Sequence, residues 1–335
     1  MAVTPARVVY QFRASGISIE RLFAQVMRSL PPRYKAESWT APHARANLKS
    51  VLGNLRAARG HVGAITHVTG HDHYYVLALP PRTTVLTVHD CVGVQRLRGV
   101  RRWLYRTFWL KLPVARAAAV TAISQQTKDE LVRLTGCDPD KIEVIENCVF
   151  DEFRHVPRPF DAACPRVLQV GTTWNKNVAG VARALTGLNC ELRVVGRDLA
   201  DADRQALDAS GVRYVHLAGL SDADVLAEYQ QCDLVVFASK YEGFGLPIVE
   251  AQAVGRPVVT SDLEPMRSVA GGAAALVDPN DPAAIRAAVD RIIADPAHRE
   301  ALVAGGLKNV ERFRPAAVAE RYAAVYDRLL ANAGK

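Results

Sequence analysis

The sequence predicts an α/β protein built from two doubly wound domains, and three observations carry that prediction. Short apolar runs alternate with helical periodicities along all 335 residues, the pattern of layered strand–helix units. The alternation is interrupted once, by a stretch carrying Pro157, Pro159 and Pro165, and then begins afresh, as an interdomain linker would have it. In both halves the glycines and polar residues of chemical interest follow directly on the apolar runs. That places them at the carboxyl ends of strands, where open α/β sheets bind ligands. The expected division is residues 1–155 and 156–314, with a last amphipathic helix over 315–335.

Composition narrows the class. Hydrophobic residues make up 49% of the chain, enough for two packed cores, yet no apolar run reaches the roughly 18 residues of a membrane span. The first residues, MAVTPARVVYQFRAS, have no signal-peptide core. Six cysteines (91, 137, 148, 164, 190, 232) lie scattered without a C-x-x-C pair. This suits reduced thiols in a cytoplasmic protein better than a disulfide or zinc framework. The net charge of +8 is uneven: residues 1–158 hold 23 Lys+Arg against 12 Asp+Glu, the remainder 19 against 22. The basic first half points to nucleic acid, an anionic membrane face or a phosphorylated acceptor as partner.

In chain order, Arg7–Phe12 reads as a strand, followed by a turn at Gly16 and a helix opened by Ser18. Ala41–Arg59 reads as an amphipathic helix. Ala64–Val68 is a strand ending in Thr69-Gly70-His71-Asp72-His73. The His-x-His suggests metal, but no further ligand stands at a matching spacing, so His71 and His73 are read as substrate contacts and no metal is expected. Thr83–Val88 runs straight into His89-Asp90, which points His89 toward a ligand, with an ordinary pKa near neutrality for acid–base work. Arg96–Arg116 holds seven cations interleaved with Trp103, Leu104, Tyr105, Phe108, Trp109 and Leu110. It reads either as an interfacial membrane helix or as a core-facing helix with solvated charges. No nucleic-acid motif accompanies it, and nucleic acid is not expected as a partner. Ala119–Ile123, the helix Gln125–Thr135 capped by Ser124, and the strand Lys141–Ile145 complete this half.

After the linker, Arg166–Val170 leads to Gly171-Thr172-Thr173-Trp174-Asn175-Lys176. Gly171 lets the chain turn, and Lys176 can neutralise a diphosphate. Leu192–Val195 ends at Gly196, Val212–Leu217 leads to Leu220, and Ser221 opens a helix with Asp222 and Asp224 in its first turn. Asp233–Phe237 delivers the most informative stretch, KYEGFGLPIVEAQAVGRPVVTSD over 240–262. It reads as loop, helix, turn and strand, with Pro247 at a first helical position and Gly255 as a stop. Gly243 and Gly245 let backbone approach a ligand closely, and the free amides from Gly245 to Leu246 favour an anion. Glu242 and Glu250 bracket that helix start. Eight residues of helix would separate them by about 12 Å, too far to share one bond in the manner of a retaining glycosidase pair at about 5 Å. They are placed to grip two ends of an elongated ligand with an anion between, as a nucleotide-sugar has. Helices from Pro282 and Pro296 follow.

Glu242-Gly243-Phe244-Gly245-Leu246-Pro247 with Glu250 resembles the Glu-x7-Glu signature of the retaining, nucleotide-sugar-dependent glycosyltransferases of family 4 (glycosyl transferases group 1). The resemblance implies the GT-B fold, two Rossmann-like domains facing a central cleft. The first would bind the acceptor and the second the donor, with the last helix crossing back to the first. It implies hexosyl transfer with retained configuration from a nucleotide-diphosphate sugar co-substrate, without metal or other cofactor, to a glycan or polyprenyl-linked acceptor in bacterial polysaccharide assembly. Donor contacts would come from Gly171, Thr172, Lys176, Gly196, Leu220, Gly243, Phe244, Gly245, Leu246 and Glu250. His89, Glu242 and Lys176 would serve catalysis, and Gly16, His71 and His73 the acceptor. An enzyme of this kind would be cytoplasmic, with Arg96–Arg116 offering a peripheral contact to the inner membrane face. Thr172 and Asn175 depart from the pattern, standing where arginine is common. That leaves a catalytically decayed nucleotide-sugar-binding protein as the alternative. A dinucleotide oxidoreductase and a P-loop nucleotidase both lack their glycine fingerprints here.

Overall fold

Strands β1 (Ala6–Phe12), β2 (Tyr34–Thr40), β3 (Ile65–Val68), β4 (Thr84–Val88), β5 (Ala119–Ala122) and β6 (Ile142–Val144) form one sheet in the order β2-β1-β3-β4-β5-β6. Strands β7 (Arg166–Val170), β8 (Glu191–Val195), β9 (Arg213–Leu217), β10 (Leu234–Phe237), β11 (Val258–Ser261) and β12 (Ala275–Val277) form another, β12-β11-β10-β7-β8-β9. All pairings are parallel: Val8, for example, lies between Ala36 and Ile65, and Val235 between Val258 and Leu168. These are features of a computed structural model that describes residues 4–14, 18–45, 47–95 and 97–333. The chain divides into two units, Met1–Cys148 with Arg314–Lys335, and Val149–Phe313.

Purely parallel sheets are covered on both faces, so their strands read as near-continuous apolar runs. β10 (LVVF) and β11 are buried throughout. β2, absent from the sequence expectation, is one exception. It is an edge strand, YKAESWT, only partly covered, and its lack of an apolar run hides it. The helix expected from Ala41 begins only at Leu48, where the side chain of Asn47 accepts from the Ser50 amide at 2.9 Å.

Each sheet has one switch point. In the second unit the chain lays β7, β8 and β9 outward in one direction, then returns to lay β10, β11 and β12 in the other. Adjacent crossovers after β7 and β10 therefore leave in opposite directions, and the crevice between them lies at the carboxyl ends of those strands. The same reversal sits between β1 and β3 in the first unit.

The stretch expected as a linker packs on the second unit. Val149 N donates to Phe313 O at 2.9 Å, Val156 N to Val254 O at 3.2 Å, and Phe153 lies edge-on to Tyr229. The units accordingly divide at Cys148/Val149, not at 155/156. The helix Pro315–Ala333 belongs to the first unit. Its Tyr326 hydroxyl meets the Tyr10 hydroxyl at 2.9 Å and His67 Nδ1 at 2.7 Å, and His67 Nε2 meets Thr87 Oγ1 at 2.7 Å. All these side chains are buried, so the polar groups are satisfied inside the core. All six cysteines are free thiols.

Candidate active site

In the second unit the loops after β7 and β10 are joined by three consecutive residues. Asn175 Nδ2 donates to Tyr241 O at 2.8 Å and to Glu242 Oε1 at 3.1 Å. Lys176 Nζ donates to the same Oε1 at 2.7 Å. Asn177, at φ 58°, donates to Ala238 O at 3.1 Å and Pro279 O at 2.7 Å. Both charged side chains are mostly buried, Lys176 at 17% and Glu242 at 13% exposure, so salt screens the pair less than it would an exposed one. Lys176 Nζ also lies 4.6 Å from the Phe237 ring centre. Gly171, at φ 98°, makes the arrangement possible. A Cβ there would stand 2.7–2.9 Å from the Lys176 side-chain carbons, so only glycine lets the lysine fold back over the strand end.

Thr172 is committed elsewhere. Its side chain packs against Gly196, where a Cβ would stand 2.4 Å from Thr172 Oγ1. Gly196 O in turn accepts from His216 Nε2 at 3.0 Å. Gly245, at φ 111°, turns the chain into the helix Leu246–Val254, which Gly255 closes at φ 82°. On that helix Glu250 Oε2 accepts from the Tyr229 hydroxyl at 2.7 Å. Burial and the neighbouring carboxylate push the Tyr229 pKa well up, so it remains a donor. Gly243 and Leu246 are half-buried at the helix start, and Leu220 is half-buried after β9. Phe244 departs from the expectation. Phe244 is 3% exposed and its ring lies edge-on to Phe313, centroids 5.7 Å apart, so it is a core side chain.

In the first unit His89 follows β4 with 6% exposure. Its Nε2 lies 2.9 Å from Thr69 O. A carbonyl only accepts, so Nε2 carries the proton and Nδ1 is the acceptor. Burial, with smaller contributions from His71 and His73, lowers the His89 pKa to about 3. The expectation of an imidazole titrating near neutrality is therefore corrected: His89 is neutral and stays neutral. His73 is 2% exposed, with Nδ1 2.9 Å from Trp109 O, and burial lowers its pKa to about 3 as well. His71 is half-buried, its ring 6.1 Å from that of His89. Gly16 lies outside the described residues. Among the described residues no group of three His, Cys, Asp or Glu side chains gathers as a metal site.

Asn175 and Tyr229 are the residues that sequence reasoning missed. Asn175 stood out only as a departure from arginine, and no spacing linked Tyr229 to Glu250.

The two parallel sheets, with ligand-type loops at the switch point of the second, define a two-domain GT-B architecture. The family model described as Glycosyl transferases group 1 matches residues 164–295, and that described as Glycosyltransferase Family 4 matches residues 8–153. The chain belongs to the group 1 glycosyltransferases. It is 26% identical over 308 residues to the serotype-specific mannosyltransferase WbdA of Escherichia coli, covering 80% of this chain and 37% of that protein. It is 30% identical over 220 residues to the O-antigen chain mannosyltransferase B of Escherichia coli, covering 59% of this chain and 57% of that protein. The chain thus spans little more than a third of the first relative and somewhat over half of the second. Solved structures share the fold. Anabaena Alr3699/HepE in complex with UDP and glucose superposes with a TM-score of 0.75 at 16% identity, covering 96% of this chain and all of that one. WaaG, a glycosyltransferase involved in lipopolysaccharide biosynthesis, does so with 0.70 at 14%, covering 95% and 99%.

Proposed function

We propose that this chain transfers a hexosyl group, with retention of configuration and without metal, from a nucleotide-diphosphate sugar to a glycan or lipid-linked acceptor in envelope polysaccharide assembly. The observation that carries the reading is the Asn175–Lys176–Glu242 cluster, built at the switch point of a parallel sheet beside the glycine-led helix that holds Glu250. The relatives' names, a serotype-specific mannosyltransferase and an O-antigen chain mannosyltransferase, favour mannose as the hexose.

In this reading Lys176 serves two anions. An ammonium has three donors, so Nζ keeps one bond to Glu242 and turns the others to the diphosphate, whose departure it stabilises together with the amides at Gly245 and Leu246. Asn175 and Lys176 both hold Oε1 of Glu242, which leaves Oε2 to accept from a hydroxyl of the donor sugar. Glu250, steadied by Tyr229, takes the ribose hydroxyls. Neutral His89 uses Nδ1 to accept a hydrogen bond from a substrate hydroxyl and orients it; it is not a titrating base at neutral pH. Such positioning supplies much of the rate when the reacting groups are held close.

The test is a thermal-shift panel with UDP-, GDP- and ADP-sugars, with and without EDTA, followed by turnover and NMR assignment of the product anomer. One nucleotide at about 100 times its Kd adds about 2.7 kcal/mol; the reading expects this with EDTA present and expects its loss in Glu250→Ala. Strong binding without turnover would favour the decayed alternative, for which Thr172 and Asn175 in place of arginine speak. Metal-dependent transfer or an inverted product would refute the mechanism.

A further inference from the structure

A cavity of about 470 Å³ opens in the second unit on the edge of the sheet away from the Lys176–Glu242 cluster. Its walls are the chain entering β10 at Asp233, the chain entering β11 at Arg256, the segment 155–160, and the helix Pro296–Asn309. Strands β7, β10 and β11 are parallel, so their amino ends lie here and the donor-type loops lie at the other end. The four residues of β10 alone hold the two ends about 13 Å apart. The cavity is therefore separate from the candidate active site, and it has the size of a small-molecule pocket.

Three arginines line it, and contacts within the protein leave their charge largely unbalanced. Arg256 is 5% exposed. Its Nε donates to Tyr229 O at 3.1 Å, Nη1 to Val156 O at 3.0 Å and Nη2 to Gln230 O at 2.6 Å. Carbonyls satisfy these donors but bring no counter-charge, and Arg256 makes no ion pair with a described residue. Burial accordingly lowers its pKa. Arg299 lies 4.1 Å from the Phe160 ring centre and donates through Nη1 to Ile292 O at 2.7 Å. It too has no ion pair with a described residue, and its Nε and Nη2 have no described acceptor.

Arg158 approaches Asp233 Oδ1 only to 3.6 Å and makes no hydrogen bond with a described residue. Asp233 is occupied by the backbone: its Oδ1 accepts from Asp161 N at 3.1 Å and its Oδ2 from Arg166 N at 2.8 Å. The other carboxylate of the lining, Glu300, is exposed. Three guanidinium groups thus face one buried carboxylate and one solvated one. Taking a guanidinium out of water without a counter-ion is costly, and fastening the segment 155–160 uses only some of the donors. Those of Arg158 and the Nε and Nη2 of Arg299 remain for a ligand. Beside them the wall is apolar, at Val303 and Leu307.

We infer that this cavity binds a phosphate group, free or carried on a small organic molecule. The phosphate oxygens accept from Arg158 and Arg299, whose planar forks match phosphate in pairs of hydrogen bonds. Arg256 supplies a fixed positive charge behind them, and an organic body lies along Val303 and Leu307. A phosphate dianion has the oxygens and the charge to engage two guanidinium groups at once, which a single carboxylate does less well. The inference does not rest on transferase activity, because the cavity shares no residue with the donor-type loops.

The experiment is calorimetric titration of the full chain with inorganic phosphate and with phenyl phosphate, beside thermal melts, against sodium chloride at matched ionic strength. Saturable binding and a raised melt are expected with the phosphates and not with chloride. Tighter binding of phenyl phosphate identifies an organic phosphate as the ligand class, and equal affinity identifies free phosphate. Arg158→Gln and Arg299→Gln should each weaken binding about tenfold, the effect of losing charge-assisted hydrogen bonds. Lys176→Ala should leave it unchanged. Asp233 keeps both amide donors when Arg158 is replaced, so Arg158→Gln remains a folded test even if Arg299→Gln, which loses the bond to Ile292 O, melts early. The inference is overturned by absence of saturable binding beyond the chloride effect, or by binding that neither arginine variant weakens. It is equally overturned by binding that Lys176→Ala abolishes, which would put the phosphate at the donor-type loops.

Discussion

Three histidines of the first unit, His67, His73 and His89, are buried and each has its pKa lowered to about 3, burial being the main cause. In the unfolded chain each returns to about 6.5. Below that value the unfolded state binds protons that the folded state refuses, so stability is present above pH 6.5 and is lost as the pH falls toward 3. At pH 5.5 one such group costs about 1.4 kcal/mol relative to high pH, and three cost about 4 kcal/mol, a large share of the 5–15 kcal/mol typical of a domain. The perturbation is a shift from pH 7.5 to 5.5 and the assay is urea unfolding. A Trp174→Phe variant leaves Trp39, Trp103 and Trp109, all in the first unit, as reporters, which separates that unit's transition from the other. Its midpoint should fall steeply with acidification, and His73→Gln should flatten about a third of the dependence. A midpoint that stays level between those pH values would refute the picture of neutral buried imidazoles, and with it the assignment of His89 as a fixed acceptor.

Other consequences concern the second unit. Tyr229→Phe deletes the hydroxyl that holds Glu250; loss of a hydrogen bond to a charged group should cost about 1.5–3 kcal/mol of stability and raise the KM for the donor while sparing kcat, and steady-state kinetics with a melt read both. Asn175→Ala frees Glu242 Oε1 of one of its two donors, and should lower kcat by about tenfold without moving the melt of the nucleotide complex. Gly196→Ala forces the Thr172 side chain to move and should destabilise by about 1–3 kcal/mol, with Thr172→Ala in the same chain recovering part of the loss; equal melts for the single and double variants would remove Thr172 from the account.

Much of the fold was legible because parallel strands, covered on both faces, must be apolar. TTVLTV, RVLQV and DLVVF announce themselves, and the glycine- and proline-marked helix at 246–254 could be placed to within a residue. β2 was hidden for the same reason in reverse. As an edge strand it carries Lys35, Glu37 and Ser38, with Lys35 and Glu37 in a chain of exposed ion pairs with Arg7, and its backbone pairing to β1 leaves no periodic trace. Of the site, Glu242, Glu250 and Lys176 could be read because their chemistry is expressed locally, in charge and spacing. The burial of His89 could not be, since it depends on what packs against β4 from elements distant in the chain. Its ordinary pKa was the wrong starting point once Phe23 and Thr69 closed around it.

The departure at Asn175 shows how a substitution can change the division of labour at a site without emptying it. An arginine there would bring a second cation to the diphosphate. Asparagine brings none, and its amide is spent on Tyr241 O and Glu242 Oε1, so in the proposed reading the ammonium of Lys176 faces both the carboxylate and the diphosphate. Lys176 is poised for that double duty by Gly171, without which its side chain could not fold over the strand end, and by Phe237, whose ring face offers the cation a further partner. In that reading a loop without the arginine should hold a diphosphate less tightly than one with it, and release it more readily after transfer. Adding a charge with Asn175→Arg should therefore tighten nucleotide binding in the thermal-shift panel, yet loosen Glu242 as the longer guanidinium turns its donors from the carboxylate to the diphosphate. Tighter binding accompanied by a lower kcat is the outcome this division of labour requires, and tighter binding with a higher kcat would show that Asn175 has no part in holding Glu242.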